Sequence, residues 1–201
     1  MDSENINELM LKYNLALELL ETKLNMIIKE YEFKNKDNIV EHIKSRIKQE
    51  KSIKQKLEKK GYEFTSENIK LHVHDMIGVR IVCSFITNVY DIVKLIKKSK
   101  QFKIKSEKDY IECPKDSGYI SYHMIVLVPI YFNDRIEYVE AEIQIRTIAM
   151  DFWASLDHKI QYKFPKKIPK NIKDELFNCS LVVQALDQKM QKLNEDVKNT
   201  N

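Results

Sequence analysis

Residues 140–147 read EAEIQIRT, polar and apolar side chains alternating with a period of two. In an extended strand that period puts Glu140, Glu142, Gln144 and Arg146 on one face and Ala141, Ile143 and Ile145 on the other. The apolar face enters a core. The polar face presents two carboxylates, an amide and a guanidinium, a set suited to Mg²⁺ and phosphate. An ordinary half-exposed antiparallel strand shows the same alternation, so the rest of the chain decides between the two readings.

The elements around this strand follow from periodicity. With 201 residues and 43% apolar content, the chain can bury one sizeable core, so a single domain spanning residues 1–201 is expected. Apolar residues from Ile6 to Tyr31 recur at steps of three and four, predicting a long amphipathic helix to about residue 32. From Ile39 to Lys48 the step changes to two, a strand with Val40, His42, Lys44, Arg46 and Lys48 on a largely basic face. A Lys-rich helix starts near Ser52 and ends at Gly61, and a short one covers Ser66 to Leu71. A strand from Gly78, a helix over Val89 to Lys98, and strands near Phe102 to Ile111 and Tyr122 to Phe132 precede EAEIQIRT. Helices over 149–163 and 171–198 follow, broken by Pro165 and Pro169. The expected class is mixed α/β: a central mixed sheet of about five strands flanked by helices, with long N- and C-terminal helices.

Composition excludes several classes. No apolar run is long enough to span a bilayer, and the acidic, polar start MDSENINELM is unlike a signal peptide, so a cytoplasmic protein is expected. Cys83, Cys113 and Cys179 are odd in number and lack C-x-x-C spacing, which argues for reduced thiols over disulfides or zinc. Three glycines cannot furnish a Walker loop or G-x-G-x-x-G turn, so basic and aromatic side chains must hold any nucleotide. The net charge of +4 suits anionic ligands without implying nucleic acid.

Four segments stand in order: HIKSRIKQEKSIKQK from His42, DMIGVRI from Asp75, KDYIECPKDSGYISYH from Lys108, and EAEIQIRTIAMDFWASLDHK from Glu140. Together they closely resemble the small alarmone synthetases of the RelA/SpoT homologue family, which transfer pyrophosphate from ATP to the 3′-hydroxyl of a guanosine nucleotide. The resemblance implies a nucleotidyltransferase-like synthetase domain with an N-terminal helix (1–35), a catalytic core (36–163) and a C-terminal helical extension (164–201). It also implies synthesis without hydrolysis, a homotetramer, and the substrates ATP with GDP, GTP or GMP.

The resemblance assigns Arg46 and Arg80 to the ATP adenine, and Lys48, Ser52 and Lys56 to its phosphates. Asp75 matches a Mg²⁺ ligand. Glu142 matches the glutamate that activates the 3′-hydroxyl or shares the metal. Tyr119 matches an aromatic stacking on guanine, while Lys115, Ser121, His123, Gln144 and Arg146 fall at guanosine-nucleotide positions. Where the family more often has a polar or cationic residue after this tyrosine, the chain has Ile120, which would disfavour highly phosphorylated acceptors. Asp151 aligns near a cleft where related enzymes bind their product, and a carboxylate there would repel phosphate. Two other readings are a basic nucleic-acid-binding module using 44–60, and a helical assembly protein. A His-Asp phosphohydrolase reading of His74 and Asp75 lacks a recognisable ligand pattern with His72 or His158.

Overall fold

The computed structural model describes residues 2–164 and 168–200. Helix α1 runs Asp2–Asn35, and its buried residues Leu9, Tyr13, Ala16, Leu20, Leu24, Ile27 and Ile28 form one stripe at helical spacing. Strand β1 follows at Val40–Ile47, then α2 at Glu50–Glu58, α3 at Ser66–His72 and β2 at Ile77–Cys83. Helix α4 spans Ile86–Lys98, β3 Lys103–Asp109, β4 Tyr122–Phe132 and β5 Arg135–Thr147. Two helices, α5 at Ile148–Tyr162 and α6 at Lys170–Thr200, complete the order. Each element lies near its expected place. The break expected at Pro165 lies outside the described residues, and α6 begins directly after Pro169.

The five strands form one sheet in the order β1-β2-β5-β4-β3. Neighbours pair antiparallel except β2 and β5, which run parallel. One face carries Val79, Ile81, Met124, Val126, Ala141, Ile143 and Ile145, all at 1% exposure or less. Helices α1 and α4 pack on these residues as one core, α4 through Val89, Ile92, Val93 and Ile96. The opposite face mixes Arg80, His123, Glu142 and Gln144 with apolar residues such as Val82 and Ile125. The period of two expected in β1 breaks at a bulge between Val40 and His42, leaving both Glu41 and His42 exposed.

The first helix spends most of its apolar stripe on this core. Exposed apolar residues also gather on α6, where Leu181, Val182, Leu186, Met190, Leu193 and Val197 are all exposed. Among the described residues no helix is long and apolar enough to cross a membrane.

Candidate active site

Strand register assembles the site. Across the polar face one rank runs Lys44, Arg80, Gln144, His123 and Lys108, drawn from all five strands. The next rank runs Arg46, Gly78, Glu142, Ile125 and Ser106. A Cβ at Gly78 would stand 3.9 Å from Cγ of Arg46, an ordinary van der Waals contact. Arg46, Asp75, Arg80, Glu142 and Gln144 line a cleft of about 300 Å³. A second cleft of about 390 Å³ holds His74, Lys105, Lys108, Tyr110, Lys115, His123, Glu140 and Glu142. Glu142 lines both.

Asp75 precedes β2 in the turn after α3. Its Oδ2 accepts from Lys48 Nζ at 2.8 Å and its Oδ1 from Lys56 Nζ at 2.6 Å. Burial alone would raise this carboxyl, but the two ammonium groups outweigh it and hold the pKa at about 2. The two lysines expected at phosphates therefore converge on the expected metal ligand. Ser52 is exposed in the first turn of α2, whose cap residue Gln49 makes no side-chain bond to the helix.

Glu142 belongs to a closed ring of hydrogen bonds. Its Oε1 pairs with His123 Nδ1 at 2.9 Å and its Oε2 accepts from Gln144 Nε2 at 2.8 Å. Gln144 Oε1 accepts from Arg146 Nη2 at 2.7 Å, and the same Nη2 donates to Tyr119 Oη. Tyr119 Oη stands 2.8 Å from His123 Nε2, which closes the ring. A carboxylate can only accept, so His123 donates to it through Nδ1. Burial pushes Glu142 up, but the His123 and Gln144 hydrogen bonds with the charge attraction of His123 together outweigh it, and the net shift is downward. Burial raises the Tyr119 hydroxyl, which the Arg146 guanidinium only partly offsets.

The loop before β4 carries the aromatic platform. Gly118 adopts φ +85°, and a Cβ there would lie 2.1 Å from Ser180 Oγ of α6. Lys115 Nζ sits 4.5 Å from the Tyr110 ring centre and 4.7 Å from that of Tyr119, bridging the two rings. Tyr110 was not singled out from sequence; its place in K-D-Y, nine residues before Tyr119, is the signal that could have found it.

Two expected contacts differ. Ser121 is fully buried and accepts from Arg146 Nε at 3.2 Å, so it lies behind the guanidinium and positions it. Ile120, expected beside the guanine platform, is 2% exposed, because an apolar side chain next to the buried Ser121 and Tyr122 gains by leaving water. It offers no surface to a phosphate chain. The histidines of the phosphohydrolase reading are spoken for elsewhere. His74 bonds Glu140 at 2.9 Å, His72 stacks on Tyr62 at 3.7 Å, and His158 is exposed. Among the described residues no group of three or more His, Cys, Asp or Glu is placed to hold a metal alone.

Comparison with known proteins agrees with this geometry. The model described as the region found in RelA/SpoT proteins matches residues 45–167. The GTP pyrophosphokinase YwaC of Bacillus subtilis is 47% identical over 191 residues, covering 95% of this chain and 90% of that protein. The crystal structure of small alarmone synthetase 2 from Bacillus subtilis superposes with a TM-score of 0.83 at 46% identity, covering 94% of this chain and 97% of that one. Small alarmone synthetase 1 from the same organism, solved with its product pppGpp, gives a TM-score of 0.83 at 34% identity over 92% of this chain and 94% of its own. With a family match over residues 45–167 and near full-length similarity on either side, the chain belongs to the RelA/SpoT family, among its small alarmone synthetases.

Proposed function

We propose that this chain is a GTP/GDP pyrophosphokinase that transfers pyrophosphate from ATP to the 3′-hydroxyl of GDP, GTP or GMP. The products are AMP and the (p)ppGpp-type alarmones of the stringent response, made in the cytoplasm. The observation that carries this reading is the ring joining Tyr119 to Glu142, which fixes a base platform and a carboxylate in one rigid unit.

The 3′-oxygen attacks the β-phosphorus of ATP, the bond to the α-phosphate oxygen breaks, and AMP leaves. Catalysis of this kind is mostly positioning and charge stabilisation. Glu142 orients the 3′-hydroxyl and accepts its proton at a carboxylate oxygen, being ionised at neutral pH. Tyr119 stacks on guanine, with Lys115 withdrawing from between the rings toward the acceptor's phosphates. His123 and Gln144 hold Glu142 in place, and Arg146, backed by Ser121, holds Tyr119. Arg46 and Arg80 sandwich the adenine, while Lys48, Ser52 and Lys56 hold the ATP phosphates. The free N–H groups at the start of α2 favour the same anions.

Asp75 and Glu142 on one cleft fit a Mg²⁺ ion, which takes one or two carboxylates and leaves its other positions to water and phosphate. Bound there, Mg²⁺ supplies neutralising charge to the phosphate oxygens. A homotetramer is the proposed assembly, supported by the exposed apolar face of α6. Light scattering at micromolar concentration tests it, and a monomer would reject it.

Incubation with ATP, GDP and Mg²⁺ should yield AMP and a new guanosine species in equal amounts. No AMP, together with steeply salt-dependent binding to RNA or DNA, would replace this reading with the nucleic-acid-binding module.

A further inference from the structure

Three guanidiniums crowd the polar face near β2. Arg80 is pushed below its ordinary pKa by burial and by the nearby Arg146 and Arg46, with Asp151 opposing. One carboxylate oxygen answers two of them. Asp151 Oδ1 lies 3.0 Å from Arg80 Nη1 and 3.2 Å from Arg146 Nη1, and its side chain is 14% exposed.

The placement of Asp151 is itself fixed. It sits in the first turn of α5, whose cap residue Thr147 accepts from Met150 N at 3.1 Å and donates to Asp187 Oδ2 of α6 at 2.6 Å. Both Thr147 and Asp187 are buried. The remaining donors of Arg146 go to Ser121, Gln144 and Tyr119, so the oxygen that Arg146 shares with Arg80 joins Arg80 to the ring that holds Tyr119. Arg80 differs, because its buried Nε has no hydrogen-bond partner among the described residues and its ion pair to Asp151 is what orients it.

We infer that Asp151 is a positioning residue that couples the two nucleotide subsites. The inference rests on the proposed assignment of Arg80 to ATP and of Arg146 with Tyr119 to the guanosine nucleotide. Both arginines share one oxygen, so a nucleotide that selects the bridged arrangement at one subsite leaves the other already arranged. Coupling of this kind is reciprocal: each ligand tightens the other by the same factor. An amide in place of the carboxylate keeps the shape and removes the charge, which leaves two like-charged groups facing each other and free to settle independently.

The test is calorimetric titration of a non-hydrolysable ATP analogue, with and without saturating GDP, and of GDP with and without the analogue. Wild-type protein should show at least about fivefold mutual tightening, the lower end of common allosteric factors. Asp151→Asn should bind both ligands more weakly with a factor near one, while Asp151→Glu, keeping the charge, should retain part of the factor. A melting curve checks that each variant folds. If Asp151→Asn does not fold, the wild-type factor and the Glu variant decide. Wild-type protein that binds both nucleotides without coupling, or an Asn variant that keeps the full factor, overturns the inference and leaves the proposed function standing. Wild-type protein that binds neither nucleotide overturns both.

Discussion

Gly118→Ala is the substitution whose cost can be worked most directly from the structure. The residue sits at φ +85°, where a side chain strains the backbone by about 1–2 kcal/mol. The new Cβ would also lie 2.1 Å from Ser180 Oγ and 2.7 Å from Ser180 Cβ, and Ser180 is fully buried, so the loop or α6 must shift. Overpacking of that kind costs about 1–3 kcal/mol. Together the two terms give about 2–5 kcal/mol, at about 2–4 °C of melting temperature per kcal/mol for a chain of this size. Because the glycine precedes Tyr119, the displaced loop should lose GDP affinity while ATP affinity changes little. Ser180→Gly removes both clashing atoms, so Gly118→Ala/Ser180→Gly should recover the overpacking part and leave the backbone strain. Urea unfolding of the two single variants and the double variant closes the cycle. A single variant within 0.5 kcal/mol of wild type, or a double variant equal to the sum of the singles, would refute the close-approach argument.

Other substitutions probe the chemistry. Asp75→Asn and Glu142→Gln should fold yet lose about 10²–10³ in turnover, the usual loss for a positioned charge; near wild-type AMP release in either rejects its role. Arg46→Ala should weaken the ATP analogue more than GDP, and Tyr119→Ala the reverse, each by about 1–3 kcal/mol for a lost stacking partner; equal loss of both ligands in both variants rejects the division of subsites. Burial, with Asp91 and Glu41 nearby, pushes the Cys83 thiol up to about 12, so alkylation at pH 8 should label the exposed Cys113 and Cys179 and reach Cys83 only on unfolding. Labelling of Cys83 in folded protein would contradict its burial.

The stretch of β5 from Val139 to Ile145 was legible residue by residue, because there buried and half-buried side chains alternate. The polar rank Glu142, Gln144, Arg146 was legible for the same reason. Pairing partners were not. That β5 lies parallel to β2 depends on side chains more than fifty positions apart, and no local period encodes it. The bulge in β1 also escaped, because one extra residue resets a period of two, and the burial of Ile120 stayed open because a loop has no period to read. Asp151 was read only as an obstacle to phosphate, since one of its two guanidinium partners, Arg80, comes from a strand that sequence order does not bring beside it.

The sheet order has a consequence for the order in which the protein can come into being. Strand β5 is the last to be synthesised and occupies the middle of the sheet. Until residue 147 has been made, β1 with β2 and β3 with β4 are two separate antiparallel pairs, each with an open edge where β5 belongs. Arg46 and Arg80 are on one pair and His123 on the other, and no strand pairing joins the two. A growing chain therefore has no partial activity to release. It gains the whole site in one step when its central strand zips between the two halves, and any premature stop before that point leaves a polypeptide with exposed edges and no chemistry.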